Sequence, residues 1–565
     1  MNGAETVVKF LEDHQVDTCF GYPGGPILVL YDAIYKRNFP HILTRHEQGA
    51  IHAAEGYARV SGRPGVVIAT SGPGATNLVT GLADALLDST PILAITGAVA
   101  RKEIGRDAFQ EADITGITDP VTKYNYLVMD PASLKPILEE AWELTTAGRP
   151  GPVLVNIPKD LLSAEIPESH DSFSSYARLR PKPLKSELQI DHVVRALSES
   201  KKPLLMLGGG CVISDLAPQQ IDRFVNHTAM PTCLTLMGIG AVKPQAPGYL
   251  GMAGMHGSVQ ANKALGNCDL LLAVGCRFSD RAIANPERYA AGRTIIHVDI
   301  DPAEIGKNVK PDIEIEDDAG DFFRCLNQAL PEKFSADWQE WQSYLTDLTQ
   351  AYDKAAAPLL KVSEPLLPEY TLKRISDLLR QYNPIVVTDV GQHQMWAAQY
   401  FDIQTPRSFL TSGGLGCMGF GLPAAIGAAK AAPGRLTVAV VGDGGMQMTE
   451  QELGTLYDLQ LPVMIVVLDN QTLGMVRQWQ ELFYHEHYSQ SLLTTNPDFV
   501  KLADAYRIPG CNVHTAADLD QAVEQAIKTN GPYLLRVFVR QKENVYPMIP
   551  AGKDPQDLIM PGMDL

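Results

Sequence analysis

The chain has 565 residues, of which 45% are hydrophobic and 20% are charged, with 47 lysines and arginines against 65 aspartates and glutamates. This composition excludes a mainly disordered, a collagen-like or a low-complexity chain, and it predicts about three or four globular domains. The net charge of −18 argues against nucleic acid and anionic membranes as partners, but it is compatible with a local basic pocket for a phosphate.

The N-terminus and the cysteines indicate a cytoplasmic protein. Residues 1–16 lack the basic and apolar regions of a secretion signal and have the pattern of an amphipathic helix. No apolar run reaches the roughly 18 residues that a membrane helix needs. The 8 cysteines form no C-x-x-C pair and lie mostly in apolar runs, which predicts buried free thiols in a reducing compartment.

Runs of valine, isoleucine and leucine alternate with helical patterns along the chain. Such unbroken runs are typical of parallel strands buried on both faces, so the predicted fold class is α/β, with three domains that each have a mainly parallel sheet flanked by helices. The predicted strands are 66–70, 92–96, 153–158, 204–209, 270–275, 294–300, 385–391, 436–442 and 463–470.

Composition changes divide the chain into blocks. The predicted domains and the Pro- and Gly-rich arm that follows them are 1–166, 188–330, 365–540 and 541–565. The stretch 167–187 has the polar composition of a linker, and a charged helical connector is predicted over 331–358. The first and third blocks share the pattern strand, Gly-rich turn, helix and strand, which indicates either a duplicated fold with one site between the copies or two unrelated βαβ units.

The strongest motif lies in the third block, where one predicted strand ends at Gly442-Asp443-Gly444 and the next ends at Asp469-Asn470. One helix is predicted between them. Because parallel neighbours end at the same sheet edge, Asp443 and Asn470 are expected together beside a helix N-terminus. Their oxygens suit a Mg²⁺ ion that clamps a diphosphate. G-D-G alone indicates only a tight turn, but the full span is typical of thiamine-diphosphate enzymes.

A second motif, Arg45 to Ala50, opens a predicted helix with Glu47 in its first turn. Taken alone, such an acidic residue is explained as a cap that the helix dipole favours. Thiamine diphosphate, however, needs a carboxyl group that hydrogen-bonds its pyrimidine ring and promotes removal of the C2 proton. Glu47 is the candidate for that role.

Over nearly its whole length the sequence resembles the acetohydroxyacid synthase (acetolactate synthase) catalytic-subunit family. The motifs that carry the resemblance are GYPGGPI (21–27), RHEQGA (45–50), ATSGPGATNLVTGLADALLDS (69–89), DAFQE (107–111), GRPGPVLVNIPKD (148–160), LGMAGMHG (250–257), RFSDR (277–281), HVDIDPAEI (297–305), GQHQMWAAQ (391–399), GLGCMGFGLPAAIGA (414–428), GMVRQWQ (474–480) and ENVYPMIPAG (543–552).

This resemblance implies two thiamine-diphosphate-binding domains around a central FAD-binding domain, with thiamine diphosphate, Mg²⁺ and FAD as cofactors. It implies that pyruvate is decarboxylated and that the hydroxyethyl carbanion condenses with pyruvate to 2-acetolactate, or with 2-ketobutyrate to 2-aceto-2-hydroxybutyrate. That reaction is the first common step in the biosynthesis of valine, leucine and isoleucine. The flavin is not implied to take part in net redox chemistry.

The resemblance also implies roles for individual residues around thiamine diphosphate. The implied catalytic residues are Glu47, Gln110 and Lys159, and the implied Mg²⁺ ligands are Asp443, Asn470 and the carbonyl of Thr472. The remaining implied contacts of thiamine diphosphate are Gly391, Gln392, His393, Gly444, Gly445 and Met446. Met418 is implied as a wedge under the cofactor, although a methionine there could also be plain core packing, and Cys417 stands where the family more often has threonine.

The implied FAD contacts are Arg149, Gly208, Gly209, Gly210, Met255, His256, Gly257, Arg277, Asp299, Ile300 and Asp301. An acidic residue after a strand, such as Asp299, suits a ribose hydroxyl, although alone it indicates only a solvated strand end. The implied substrate pocket contains Gly25, Phe109, Arg281, Val390, Met475, Val476 and Trp479, with Gln110 and Lys159. Met475 and Trp479 stand four positions apart and share a helix face, and the family tryptophan favours 2-ketobutyrate.

Several alternatives stay open. A catabolic acetolactate synthase would work without flavin, a flavin-dependent pyruvate oxidase would pass electrons to oxygen or a quinone, and a glyoxylate carboligase would lack the glutamate at position 47. A non-catalytic protein of the same fold should have lost Glu47 or a metal ligand, and both are present. The family site lies between two subunits, which implies at least a homodimer; a tetramer and a small regulatory subunit are both compatible with the sequence.

Overall fold

The computed structural model of the chain describes residues 1–167 and 189–560, apart from residues 284, 286–288, 290, 335 and 556. The described residues form three α/β units, each built on a six-stranded sheet whose paired strands run parallel. The predicted linker at 167–187 lies almost wholly outside the described residues, as do the last residues of the predicted arm. Among the described residues, no helix is both long and apolar enough to cross a membrane.

The N-terminal unit has helices on both faces of its sheet. Its strands are β1 (Cys19–Gly21), β2 (His41–Leu43), β3 (Gly65–Ala69), β4 (Ile92–Ala98), β5 (Tyr124–Leu127) and β6 (Pro152–Pro158). Their order across the sheet is β2-β1-β3-β4-β6-β5. Its helices are α1 (Gly3–Asp13), α2 (Leu28–Lys36), α3 (Glu47–Ser61), α4 (Pro73–Thr76), α5 (Val79–Leu87), α6 (Ile114–Thr118), α7 (Leu134–Thr146) and α8 (Lys159–Ser163).

The unbroken apolar sequence of a central strand follows from this two-sided packing. Val66 and Ile68 of β3 pack in one core with α1, α2 and α7, whereas Val67 and Ala69 pack in a second core with α3 and α5. A strand whose two faces are both covered has no solvent side on which a polar residue is favoured. The same reason applies to the central strands of the other two sheets.

The central unit has the strand order of dinucleotide-binding sheets. Its strands are β7 (Pro203–Leu207), β8 (Thr232–Leu234), β9 (Tyr249–Met252), β10 (Leu270–Val274), β11 (Thr294–Asp299) and β12 (Ile313–Glu316). They are arranged as β9-β8-β7-β10-β11-β12, so the order reverses between β7 and β10. Its helices are α9 (Ile190–Glu199), α10 (Gly210–Ile213), α11 (Ala217–Thr228), α12 (Val259–Asn267) and α13 (Ala319–Ala329), and the connector helix α14 (Gln339–Ala356) follows.

The C-terminal unit repeats the topology of the N-terminal unit. Its strands are β13 (Ile385–Thr388), β14 (Phe409–Leu410), β15 (Thr437–Gly442), β16 (Val463–Asp469), β17 (Gly510–Val513) and β18 (Tyr533–Phe538). Their order, β14-β13-β15-β16-β18-β17, matches the N-terminal order strand for strand and so supports a duplicated fold. The helices are α15 (Pro368–Leu379), α16 (Gln392–Tyr400), α17 (Gly421–Ala431), α18 (Asp443–Thr449), α19 (Glu452–Leu459), α20 (Gly474–Phe483), α21 (Phe499–Ala505) and α22 (Ala516–Thr529).

All nine predicted strands are confirmed, with ends that differ by up to three residues, and the α/β class is confirmed. The strand predicted over 385–391 ends at Thr388, because the next residues turn into the N-terminus of α16. The helix predicted after Gly444, with Leu453, Leu456 and Leu459 on one face, is confirmed as α19, and a separate short helix, α18, precedes it. The cysteines are free, and only Cys511 is not fully buried.

The first and third units meet where α3 crosses α17 at very short range. Gly56 and Gly427 allow this approach, because a Cβ atom on either would overlap the backbone of the other helix. Charged side chains are buried beside the crossing. Arg59 Nη2 lies 3.2 Å from Glu55 Oε2 and 3.0 Å from Asp88 Oδ2. Burial raises the pKa of Glu55 to about 8, so this carboxyl group binds a proton more tightly than an exposed glutamate does.

We expect Glu55→Gln to make the free energy of unfolding less dependent on pH. The raised pKa of Glu55 means that the folded chain binds this proton more tightly than the unfolded chain, so stability is lost as pH rises from about 4.5 to 8. Proton binding by Glu55 changes the free energy of unfolding by up to about 1.4 kcal/mol per pH unit. Urea unfolding at several pH values measures it, with exposed Glu143→Gln as the matched control. An unchanged pH profile in the Glu55 variant would contradict the prediction.

Candidate functional site

The predicted metal ligands meet at the C-terminal edge of the third sheet. Strands β15 and β16 are paired with Gly442 opposite Leu468, so the residues that follow each strand emerge side by side. The three side chains at this edge are buried, with Asp443 only 2% exposed. Asn470 Oδ1 accepts hydrogen bonds from the backbone N–H and the hydroxyl of Thr472, at 3.1 and 3.0 Å. The edge therefore presents carboxylate, amide and hydroxyl oxygens together.

The charge of Asp443 is not balanced by the chain. Asn496 Nδ2 donates to Asp443 Oδ2 at 2.7 Å and also to Asp469 Oδ1 at 3.1 Å, and Arg536 pairs with Asp469 at 2.7 Å. Within the described part of the chain no cationic side chain pairs with Asp443, and burial raises its pKa to about 7. A buried carboxylate without a counter-ion is costly, and a hard divalent cation such as Mg²⁺ would remove that cost.

The adjoining loop suits a diphosphate. Gly391 caps α16 with a φ of 148°, a conformation that favours glycine, and α16 and α18 begin at the same sheet edge. Among the described residues, the buried Nε2 of His393 has no hydrogen-bond partner. Gln392 Oε1 accepts from Asn470 Nδ2 at 3.3 Å, which ties this loop to the metal edge. Gly444, Gly445 and Met446 form the first turn of α18 beside it.

The corresponding edge of the N-terminal sheet carries the Glu47 group. Glu47 is 9% exposed, and its Oε2 accepts a hydrogen bond from Asn77 Nδ2 at 2.9 Å. The buried hydroxyls of Thr70 and Ser71 have no hydrogen-bond partner within the described residues. Gln110 has a φ of 60°, unusual for a residue with a side chain, and packs on Gly72. Unpaired buried hydroxyls beside a carboxylate suit the polar edge of an aminopyrimidine ring.

The other N-terminal candidates are more open. Lys159 Nζ pairs with Glu103 Oε2 at 3.1 Å, and its side chain is about half exposed. A Cβ atom on Gly25 would meet no atom within 4 Å. Phe109 is 89% exposed, which is unusual for a large aromatic side chain. These residues border open space that another molecule can fill.

A cavity of about 1480 Å³ lies among the three units. Its volume exceeds the ~300–1,000 Å³ typical of one small ligand. Candidate residues that line it are Arg149, Gly209, Gly210, Met255, His256, Arg277, Asp299, Ile300, Arg281, Val390, Gly391, Met418, Met475, Val476 and Trp479. The implied FAD contacts that do not line it are Gly208, Gly257 and Asp301; Asp301 lies 3.5 Å from Arg149.

The cavity opens where the strand order of the central sheet reverses. Gly209 and Gly210 follow β7, and Arg277 comes shortly after β10, its neighbour across the reversal. Ligands of open parallel sheets bind at this point. Asp299 ends β11, and burial raises its pKa to about 6. Burial lowers the pKa of His256 to about 4, so its imidazole is neutral. Glycines at the reversal and an acid on the next strand fit a dinucleotide.

The predicted substrate residues on α20 face this cavity together. Met475, Val476 and Trp479 all line it, and the guanidinium carbon of Arg281 lies 5.9 Å from the centre of the Trp479 ring. The C-terminal arm fixes this helix, because Gln478 Oε1 accepts from the Val545 N–H and from Gln392 Nε2, both at 2.9 Å.

The candidate residues of one chain therefore fall into two separate groups. The group around Glu47 on the N-terminal sheet is called the Glu47 half-site, and the group around Asp443 on the C-terminal sheet is called the Asp443 half-site. Gly25, Glu47, Phe109, Gln110 and Lys159 do not line the cavity that contains Met418 and Trp479. No hydrogen bond or ion pair among the described residues joins the Glu47 carboxylate to the Asp443 group.

Sequence reasoning missed residues that contact the candidate carboxylates, such as Asn77 and Asn496. Asn77, Thr70 and Ser71 stand inside a quoted motif, so that motif was a usable signal for them. For Asn496, which reaches Asp443 from 53 positions away, the sequence carries no signal.

Comparisons with known proteins agree with this arrangement. Residues 1–117, 190–326 and 389–537 match the N-terminal, central and C-terminal domains of thiamine pyrophosphate (thiamine diphosphate) enzymes. The acetolactate synthase isozyme 2 large subunit of Escherichia coli (strain K12) is 45% identical over 560 residues, with 99% of both chains covered.

Two further relatives carry the same name in other organisms. The chloroplastic acetolactate synthase of Arabidopsis thaliana is 44% identical over 574 residues, with 99% of this chain and 84% of that protein covered. The acetolactate synthase large subunit of Lactococcus lactis subsp. lactis (strain IL1403) is 43% identical over 560 residues, with 99% and 96% covered. These matches do not favour the catabolic alternative. The chain belongs to the acetolactate synthase (acetohydroxyacid synthase) large-subunit family of thiamine-diphosphate enzymes.

Proposed function

We propose that this chain decarboxylates pyruvate on thiamine diphosphate and joins the two-carbon product to pyruvate or 2-ketobutyrate, as the first common step of branched-chain amino-acid synthesis. The observation that carries the proposal is the pair of complementary half-sites, with the Glu47 carboxylate on one sheet edge and the unbalanced Asp443 carboxylate on the matching edge. The proposed domains are 1–166, 188–330 and 365–540, followed by an arm over 541–565. The buried free cysteines fit a cytoplasmic location.

Thiamine diphosphate, when bound, supplies the electron sink that stabilises the charge left when carbon dioxide departs from pyruvate. Asp443, Asn470 and the carbonyl of Thr472 would hold Mg²⁺. Gly391 and the first turn of α16, with Gln392 and His393, would hold the diphosphate together with the first turn of α18. Glu47 would exchange a proton with the pyrimidine nitrogen.

The remaining substrate residues would bind the 2-ketoacids and exclude water. Lys159 and Arg281 offer positive charge for the carboxylates, and Gln110 offers an amide. The apolar side chains of Val390, Met475, Val476 and Trp479 would keep water from the reactive carbon, which simple protonation would otherwise turn into acetaldehyde.

We further propose that the central unit binds FAD as a structural cofactor. The support is its strand order, the cavity at the reversal point, and the buried acid Asp299 at the end of β11. Arg149 reaches this site from the N-terminal unit and pairs with Glu304 at 2.8 Å, so the flavin would bridge two units.

We propose a homodimer as the smallest active form, because the Glu47 half-site of one chain needs the Asp443 half-site of another. The exposed Phe109 would then be covered by the second subunit. A tetramer and a small regulatory subunit are further proposals, the latter prompted by the name large subunit that two of the relatives bear.

Product analysis tests the function directly. Purified protein is stripped of cofactors and incubated with pyruvate, thiamine diphosphate and Mg²⁺, with and without FAD, and with 2-ketobutyrate. We expect acetolactate only when FAD is present, and aceto-hydroxybutyrate as the main product when both acids are supplied. Formation of acetolactate without flavin would indicate the catabolic enzyme. Consumption of oxygen or reduction of a quinone would indicate an oxidase.

We expect Trp479→Leu to reduce the preference for 2-ketobutyrate. The tryptophan lines the cavity beside Arg281, and a wall that contacts one methylene discriminates by only about 10–200-fold. The ratio of the two products at equal acid concentrations measures the change. Tyr484→Leu, at an exposed position just after α20, is the matched control. An unchanged ratio in the Trp479 variant would show that other residues determine the preference for 2-ketobutyrate.

A further inference from the structure

Asp389 is a buried carboxylate in the Asp443 half-site. It directly follows β13, at the point where the strand order of the third sheet reverses between β13 and β15. Its side chain is 1% exposed. No role was implied for it by the motifs, and it is not among the ligands proposed for Mg²⁺ or thiamine diphosphate.

The Asp389 carboxylate binds the loop that carries Met418, defined here as residues 412–421. Oδ1 and Oδ2 accept hydrogen bonds from the Gly419 N–H at 3.0 and 2.9 Å, and Oδ2 accepts from the Gly421 N–H at 3.0 Å. Gly419 directly follows Met418, and Gly421 comes two positions later. The carboxylate therefore fixes the backbone on the C-terminal side of the methionine.

The same carboxylate also touches the two segments proposed to hold the diphosphate. Oδ1 accepts from the Val390 N–H at 2.7 Å, next to Gly391. A Cβ atom added to Gly445 would lie 2.7 Å from Oδ1, so the first turn of α18 packs directly on it. One side chain thus joins three segments that reach the site from different parts of the sequence.

The N-terminal side of the Met418 loop is held in the same way by other residues. Asp88 accepts hydrogen bonds from the N–H groups of Gly413 and Gly414, at 2.9 and 2.7 Å. Ser412 donates to Asp84 at 2.6 Å and accepts from the Cys417 N–H at 2.8 Å. In these interactions Asp88 contacts neither Val390 nor α18, so it holds the loop without joining it to the segments proposed to bind the diphosphate.

We propose that Asp389 is a positioning residue that sets the placement of Met418 relative to the diphosphate-binding segments. The inference rests on the proposed function, because the family resemblance implies that Met418 is a wedge beneath thiamine diphosphate. Three backbone donors favour the charged form of the carboxylate, although burial raises its pKa. An asparagine has the same shape but one acceptor oxygen fewer and would turn an N–H group toward the backbone donors.

The test compares Asp389→Asn, Met418→Ala and their combination with the wild type. The readouts are the Kd for thiamine diphosphate at saturating Mg²⁺, the Tm, and the rate at which the C2 proton of the bound cofactor exchanges with deuterium. The exchange rate requires no substrate turnover. We expect it to fall about 10–100-fold in Asp389→Asn, since small misplacement of a reacting group has effects of this size.

The combined variant separates positioning from a purely structural role. If Asp389 acts through Met418, adding Asp389→Asn to Met418→Ala should slow exchange little further. Asp504→Asn makes the same chemical change at an exposed position on α21 and should keep both the wild-type exchange rate and the wild-type Tm. The proposal is overturned if Asp389→Asn exchanges at the wild-type rate, if the two losses multiply, or if Asp504→Asn slows exchange equally.

A replacement variant and a measurement on the wild type complete the test. Asp389→Ser, which retains one acceptor oxygen in a smaller side chain, replaces the asparagine variant if that variant does not fold, and the same outcomes apply to it. Failure of the wild type to bind thiamine diphosphate would overturn the proposed function itself, whereas normal binding and exchange in the wild type leaves only the role of Asp389 to be judged.

Discussion

Glu47→Gln should abolish carboligation while thiamine diphosphate still binds. Glutamine keeps the size of the side chain and an oxygen that can accept the hydrogen bond from Asn77 Nδ2, but it cannot exchange a proton with the pyrimidine ring. Loss of such proton transfer lowers the rate by about 10²–10⁴-fold.

The measurement is kcat for acetolactate formation together with the Kd for thiamine diphosphate. Glu143→Gln, an exposed position on α7, makes the same chemical change far from the site and should leave both values unchanged. A Glu47→Gln enzyme that retains most of the wild-type kcat would contradict the role of Glu47. A Kd that rises as steeply as kcat falls would assign the residue to cofactor binding alone.

Asp443→Asn should remove the stabilisation that Mg²⁺ and thiamine diphosphate give to the folded protein. A ligand at 100 times its Kd stabilises the folded state by about 2.7 kcal/mol. The variant loses the buried charge that would attract Mg²⁺, so the two ligands together should no longer raise the Tm. Asp504→Asn, exposed on α21, is the control that should keep the full rise. A normal ligand-dependent Tm in the Asp443 variant would contradict the assignment.

The two inactive variants together test whether the site is shared between subunits. In a dimer of one Glu47→Gln chain and one Asp443→Asn chain, one site carries both changes and the other carries neither. Co-expression with random pairing should therefore restore about a quarter of the wild-type sites. Activity that stays at the level of the separate variants would show that Glu47 and Asp443 act within one chain.

Much of the fold was readable from the sequence because its signals are local. A central strand such as β4 or β16 is buried on both faces, so its apolar run is continuous and easily recognised. Strands β1, β2, β8 and β14 were not predicted, because strands of two or three residues carry too short a pattern. Strand β18 is longer than these strands, and it pairs with β16 on one side and β17 on the other, but it was not predicted either.

The candidate site divides in the same way. That Asp443 and Asn470 share a sheet edge follows from two local facts, since each comes directly after a parallel strand. That Glu47 opens a helix is equally local. The hydrogen bonds from the Gly419 N–H to Asp389 and from Asn496 Nδ2 to Asp443 span 30 and 53 positions, and no local pattern predicts such partners.

By itself, the sequence determined the class of the fold, the position of the central strands and the residues that end at each sheet edge, because all of these depend on neighbours along the chain. Only the tertiary structure decided that the first and third sheets have the same strand order, and that their two half-sites lie apart within one chain. Strand order and the hydrogen bonds that hold the Met418 loop depend on contacts between distant segments, whose free energy is gained only when the whole chain packs.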